Sequence, residues 1–280
     1  MSVTVITRPQ QYHIDFFQEH LADLSLAGKR VLEIGAGIGE LLRLLQDHEP
    51  VIDELVGINN IDYGAVDVGR RARLVKADVC AMAFPEHEFD LVFSLATFEH
   101  VHDLQRAVEQ IHRVLRPGGL LIAKWSPIWN GFDGHHYGET VKVRQAIELP
   151  WAHLIFDRTT LGAYLVDGEG FDRNQARQAT EDIYESDWLN RQSLRVYREA
   201  FAHPGFEVQR FDGIQCNFGP LMARVAAAVD RGFVPRWRVA EFFRRARPEE
   251  ILTYKLIVHL RRREERPPTQ NARPVPTVKS

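Results

Sequence analysis

The sequence predicts a doubly wound α/β fold, and three observations carry that expectation. Short apolar runs without polar alternation recur through the first 125 residues. Stretches with apolar residues at helical spacing separate them. A glycine-rich segment sits at the first handover from strand to helix. Runs that are apolar on both faces belong to parallel sheets covered by helices. Their alternation with helices gives the layered architecture.

The elements follow in order. Residues 8–26, with Phe16, Phe17, Leu21 and Leu24, read as a helix lying over a ligand cleft. Lys29 to Gly35 is the first strand, and Ile38, Leu41, Leu42 and Leu45 mark the helix behind it. Glu54 to Asn59, Arg73 to Ala77 and Phe89 to Leu95 are the second, third and fourth strands. Leu104, Ala107, Val108, Ile111 and Val114 form one helix face, with Asp103 as N-cap and Pro117-Gly118-Gly119 beyond its end. Leu120 to Trp125 is the fifth strand. The rhythm then breaks over residues 126–185, an insertion after strand five. Residues 187–201 read as helix, and Phe206 to Ile214 and Thr253 to Leu260 as two further strands, the last antiparallel. Helices near 220–231 and 238–246 lie between them. The expected divisions are a helical cap (1–27), a ligand-binding core (28–125), the insertion (126–185), closing helices and strands of the same domain (186–264) and a disordered, proline-rich tail (265–280).

Composition narrows the function classes. Of 280 residues, 45% are hydrophobic and 26% charged, which fits a folded domain and excludes wholesale disorder. No apolar run approaches the ~20 residues of a membrane span, and residues 1–11 do not read as a secretory signal. Two cysteines, Cys80 and Cys216, build no disulfide framework, so a cytoplasmic setting is expected. Net charge is −3, yet residues 231–280 carry 13 Lys/Arg against 5 Asp/Glu. No aromatic-basic motif accompanies that excess, so a nucleic-acid partner is not expected.

The segment Glu33-Ile34-Gly35-Ala36-Gly37-Ile38-Gly39 is the chemical centre of the sequence. Glycines allow a sharp turn and let a ligand lie against bare main chain, and the helix start behind them offers free amide donors. A nicotinamide dinucleotide site would space its glycines G-x-G-x-x-G. Here the spacing is G-x-G-x-G, with the acid Glu33 two residues ahead. An acid there repels a diphosphate and suits a ligand bearing an amine and a sulfonium. A nicotinamide-dependent oxidoreductase and a non-catalytic cofactor-binding protein remain the alternatives.

This stretch resembles motif I of the class I S-adenosylmethionine-dependent methyltransferases. Phe84-Pro85 followed by Glu88-Phe89-Asp90, then SLATFEHV at 94–101 and RVLRPGGLL at 113–121, resemble later motifs of that family in the same order. The resemblance spans about residues 28–125, and the small-molecule, ubiquinone-biosynthesis-like members are the most similar group. It implies a Rossmann-like seven-stranded sheet, mostly parallel with one antiparallel strand, and S-adenosylmethionine as cofactor. It also implies a small or medium-sized acceptor, such as a hydroxyl of a natural product or sugar. Carried over, Gly35, Gly37 and Gly39 would line the cofactor with Glu33 near its amino group. Asn59 and Asn60 would stand at the ribose, Asp78 and the Val79 amide at the adenine, and Ser94 and Leu95 near the methyl donor. Where the family has an acid for the ribose hydroxyls, this sequence has Asn59, with Asp62 as a nearby substitute.

The acceptor side is read from the insertion. Trp125, Trp129, His135, His136, Trp151 and His153 concentrate histidine and tryptophan there. In the family such insertions form the acceptor pocket, so His136 and His135 are the expected catalytic candidates, with Trp125 and Trp129 as possible pocket walls. Adjacent residues on a strand point to opposite faces, so both histidines serve one site only if Gly134 makes a turn. Asp133, His136 and His153 are ligand-type residues, but no established metal spacing connects them, and no metal is expected. Glu99 and His100 are expected to shape the site rather than act in it.

Overall fold

A computed structural model describes residues 9–49, 51–137 and 145–264. Among them, seven strands form one sheet in the order β3-β2-β1-β4-β5-β7-β6. The strands are β1 (Arg30–Ile34), β2 (Glu54–Asn59), β3 (Ala72–Lys76), β4 (Phe89–Leu95), β5 (Leu115–Trp125), β6 (Phe206–Gln215) and β7 (Thr253–Arg262). The first five pair in parallel, and β7 runs antiparallel to both β5 and β6. The chain order reverses at β1, where β2 and β4 flank it on opposite sides. In such sheets ligands lie beyond the carboxyl ends of the strands at that switch point.

Both faces of the sheet are buried, which is why the strands lack polar alternation. On one face Leu32, Val56, Val92 and Leu121 pack under α3 (Leu104–Val114) and α7 (Leu194–Phe201). On the other, Val31, Leu55, Leu91 and Phe93 pack under α1 (Gln11–His20) and α2 (Glu40–His48). The Asp103 side chain accepts the Arg106 amide, as its sequence position predicts. The helix expected over 187–201 is confined to Leu194–Phe201, because the Ser193 hydroxyl caps the Val196 amide and fixes the start.

The first helix departs from expectation in its placement. It lies flat on the sheet beside α2, with the Phe16 ring 6.2 Å from that of Phe93. Its apolar side is spent on the core, so it forms a layer of the fold rather than a cover for the cleft. Only its first turn reaches the ligand end, where Tyr12 feels the charges of Glu40 and Glu33.

The insertion builds a second apolar core through α4 (Ala152–Ile155), α5 (Arg158–Glu169) and α6 (Arg173–Tyr184). The helices between β6 and β7 are α8 (Phe218–Asp230), α9 (Arg236–Arg245) and α10 (Pro248–Leu252). The sequence grouped them with the closing strands. Leu221, Val225 and Ile251 instead join Trp151, Leu161 and Ile183 in this second core. Trp151 is fully buried at the junction, and its indole N–H donates to the Ile251 carbonyl at 3.0 Å. The expected tail at 265–280 lies outside the described residues.

Candidate functional site

The glycine loop hangs from the ends of β1 and β2. The Gly35 and Ala36 amides donate to the Ile58 carbonyl at 2.9 and 3.2 Å. All three glycines have positive φ, the backbone region that side chains disfavour. Their surroundings differ. A Cβ at Gly35 would lie 2.0 Å from Thr97 Oγ1, and one at Gly39 would lie 2.4 Å from Val68 Cγ1. These two positions are filled by protein, so they let the loop pack rather than face a ligand. A Cβ at Gly37 would meet only Glu40 Oε2, at 3.9 Å. Gly37 is therefore the bare main chain of the loop.

Asn59 holds Gly37 in place. Its Oδ1 accepts the Gly37 amide at 2.8 Å, and its Nδ2 donates to the Gly37 carbonyl at 2.9 Å. The side chain expected at a ribose thus shapes the loop instead. Asn60 beside it is exposed. Asp62 is also exposed, and its carboxylate accepts the Gly64 amide at 2.8 Å within a local turn. Asp78 ends the β3 connection as the cap of a 3-10 turn, with Oδ1 accepting the Cys80 amide at 2.8 Å. Val79 is buried behind it. Ser94 is fully buried and donates to the Ile34 carbonyl at 3.0 Å, so it pins β4 to β1 rather than facing a methyl donor. Leu95 is half-buried against the α1–α2 core.

Glu33 is the polar group of this end of the sheet. It is 3% exposed, between Gly57 and Phe93 in the strand register. Burial, reinforced by the Glu40 charge, pushes its carboxyl up to about 8. Its Oε2 has no hydrogen-bond partner among the described residues. An acid buried this way is costly unless a cation joins it. An orphaned carboxyl oxygen on the strand that leads into an open stretch of main chain fits the amine-bearing end of S-adenosylmethionine.

The acceptor side is assembled after β4 and β5. Thr97 over Gly35 starts the turn after β4, donating to the Ile34 and Leu95 carbonyls at 3.2 and 3.1 Å. The 3-10 turn Phe98–His100 follows. Asn190 staples it from the far side: Nδ2 donates to the Phe98 and Val101 carbonyls at 2.7 and 2.9 Å, and its amide to the Glu99 carbonyl at 3.0 Å. Sequence reasoning missed Thr97 and Asn190. Neither has a spacing signal, because their partners are backbone groups of another segment.

The two candidate histidines part. A Cβ at Gly134 would lie 2.1 Å from the Trp129 carbonyl oxygen, so the turn closes only around glycine. That turn sends His135 into the second core, where Nδ1 accepts the Tyr137 amide at 3.0 Å and the ring lies 5.2 Å from that of His153. Burial lowers His135 well below its ordinary pKa and His153 to about 4. His135 is therefore a packing residue, correcting the catalytic expectation. His136, at φ 58°, turns the other way and meets His100 at 5.4 Å and Trp188 at 5.3 Å between ring centroids. Asp133 and His153 do not join it. Among the described residues, one group gathers three ligand-type side chains: Glu99, His100 and His136, whose ligand atoms all lie within 4.8 Å of one another. Burial pushes Glu99 up to about 8. Trp125 packs in the core against Phe98, Tyr197 and Phe201 instead of walling a pocket. Trp129 lies edge-on to His153 at 4.5 Å. A groove of about 1050 Å³ lies away from this chemistry, between Leu154 and the Trp237–Phe242 side of α9.

Comparison with known proteins agrees with this geometry. Residues 32–123 match the family described as "Methyltransferase domain". Cycloartenol-C-24-methyltransferase of Arabidopsis thaliana is 31% identical over 47% of this chain and 42% of its own length. Demethylmenaquinone methyltransferase of Thermus thermophilus is 31% identical over 38% of this chain and 52% of its own length. The chain thus matches about half or less of these relatives. A candidate methyltransferase structure from Bacillus halodurans has the same fold, with a TM-score of 0.50 at 13% identity over 90% of this chain and 98% of that one. With the G-x-G-x-G loop, the buried acid before it and the strand order around it, residues 32–123 are similar to the methyltransferase domain family, and the sheet has the fold of such domains.

Proposed function

We propose that this protein transfers a methyl group from S-adenosylmethionine to a small or medium-sized acceptor held beyond the carboxyl ends of β4 and β5. The observation that carries this reading is Glu33, a buried carboxyl with an unpartnered oxygen at the end of β1, four residues before the open main chain of Gly37. Glu33 and Gly37 would hold the amine-bearing end of the cofactor, with Asn59 fixing the loop and Asp78 and the Val79 amide at the nucleoside end. The cofactor supplies an electrophilic methyl on a sulfonium, and the protein's task is alignment and exclusion of water. Loss of a hydroxyl proton from the acceptor falls to the cluster of Glu99, His100 and His136, with His136 the member foreseen in the sequence.

The acceptor we favour is a hydroxyl of a natural product or sugar. The names of the sterol and menaquinone relatives favour a second reading, an apolar acceptor methylated at carbon. Both fit a cytoplasmic enzyme, and no described helix is long and apolar enough to cross a membrane.

Calorimetry with S-adenosylhomocysteine and with NADH tests the cofactor. We expect binding of the first alone, lost in Glu33→Gln. Transfer of labelled methyl across a panel of hydroxyl and carbon acceptors tests the reaction. No binding at millimolar S-adenosylhomocysteine overturns the proposal. Binding without any methylated product supports the cofactor-binding protein instead.

A further inference from the structure

We infer that Glu99, His100 and His136 form a binding site for one divalent transition-metal ion of the zinc class. The inference deepens the proposed methyl transfer by assigning the acceptor-side cluster a cation. Metal binding itself stands on separate observations.

The first is convergence. Glu99 and His100 come from the 3-10 turn after β4, and His136 from the loop after β5. Their ligand atoms lie within 4.8 Å of one another, although 36 residues separate His100 from His136 in the chain. Ligand atoms around tetrahedral zinc sit about 3.3 Å apart, so side-chain rotation closes the remaining distance. Two imidazoles and a carboxylate are a nitrogen-rich donor set that suits zinc, iron, cobalt or nickel over magnesium or calcium.

The second observation is an orphaned acid. Glu99 is 4% exposed, and its Oε2 has no hydrogen-bond partner among the described residues. A buried carboxyl oxygen of this kind calls for a cation or a proton.

The third is orientation. His100 Nδ1 lies 2.6 Å from the Trp188 carbonyl, and His136 Nδ1 lies 3.2 Å from the Gly134 carbonyl. A carbonyl accepts only, so each Nδ1 carries the hydrogen and Nε2 carries the ligating lone pair. Backbone carbonyls fix metal-binding histidines in this way. His100 also stacks on Trp188 at 5.6 Å and 24°. A metal held by three side chains keeps positions for an acceptor oxygen, whose proton it makes more acidic.

The test uses the untagged full chain, freed of metal by chelation, without cofactor or acceptor. Zn²⁺ is titrated by calorimetry and Co²⁺ by its visible absorption. We expect one equivalent bound, with a tetrahedral or five-coordinate cobalt spectrum. Glu99→Gln and His136→Gln are each expected to weaken binding by at least about 100-fold, since even loss of a group supporting a ligand costs 10–100-fold. His203→Ala, which breaks the unrelated His112–His203 pair (4.8 Å between rings), is expected to leave binding unchanged. Circular dichroism checks the folding of each variant. If His136→Gln does not fold, the near-isosteric Glu99→Gln decides the matter. Absence of stoichiometric binding, or binding that Glu99→Gln leaves intact, overturns the site. Because no cofactor is present, a failure of S-adenosylhomocysteine binding is scored separately.

Discussion

Asn59 and Gly37 exchange two hydrogen bonds, side-chain amide to backbone, at 2.8 and 2.9 Å. The end of β2 thereby fixes the one residue of the glycine loop whose main chain is open. The polar residue at this position supports the cradle from behind.

Removing that support weakens the cofactor site. Two hydrogen bonds at about 1 kcal/mol each amount to roughly a 10–30-fold effect. Asn59→Ala is expected to lower S-adenosylhomocysteine affinity by that factor, read by calorimetry. Unchanged affinity removes the clamp from the binding machinery.

Gly35 and Gly37 separate folding from binding. Alanine at Gly35 collides with Thr97, so Gly35→Ala is expected to cost about 2–4 kcal/mol of stability. Valine at Gly37 meets no neighbour closer than Glu40, so its cost to the free protein is mainly the positive φ. Gly37→Val is expected to reduce cofactor affinity by more than about 100-fold, because the added volume occupies the ligand's place. Melting curves and calorimetry on both variants check the split. Near-normal affinity in Gly37→Val removes the glycine-loop assignment.

Stability passes through a maximum in pH. Burial raises Glu33 and Glu99 to about 8 and Asp133 to about 7. The folded chain then holds protons that the unfolded chain has released, so these acids lose stability for the fold as pH rises from about 4.5 through 8. His20, His112 and His153 are lowered to about 4, the first cause in each being burial. Their contribution is complete above about 6.5 and is lost as pH falls toward 4. A melting-temperature maximum is expected where the two windows overlap, between about pH 4.5 and 6.5. Glu33→Gln is expected to raise the melting temperature near pH 8.5 and to leave it almost unchanged near pH 5. An equal shift at both values contradicts the burial argument.

The histidine pair divides its effects. His135→Ala opens a cavity in the second core and is expected to cost about 2–4 kcal/mol, with cofactor affinity retained. His136→Ala is expected to lower turnover at unchanged S-adenosylhomocysteine affinity. Full turnover in His136→Ala returns that residue to a structural role.

Legibility in the sequence followed the range of the interactions. The strands Glu54–Asn59 and Phe89–Leu95 and the helix behind Asp103 were readable to within a residue, because burial of both sheet faces and a side-chain cap are written in neighbouring residues. The glycine loop and Glu33 were readable for the same reason. The contacts of Asn59 and Ser94 were not readable, because their partners, Gly37 and Ile34, belong to other strands or loops. The helices between β6 and β7 were readable as helices but their packing partners were not, since helical spacing shows that a face is apolar and not what it meets.

The sequence by itself determined the sheet, the handover at Gly35–Gly39 and the buried acid before it, all properties of contiguous residues with a fixed period or turn. Only the tertiary structure decided which glycine stays open, that His135 and His136 face opposite ways, and that His136 meets Glu99 and His100. Those outcomes depend on contacts between distant segments, where a tight turn at Gly134 and the packing of two cores set the geometry.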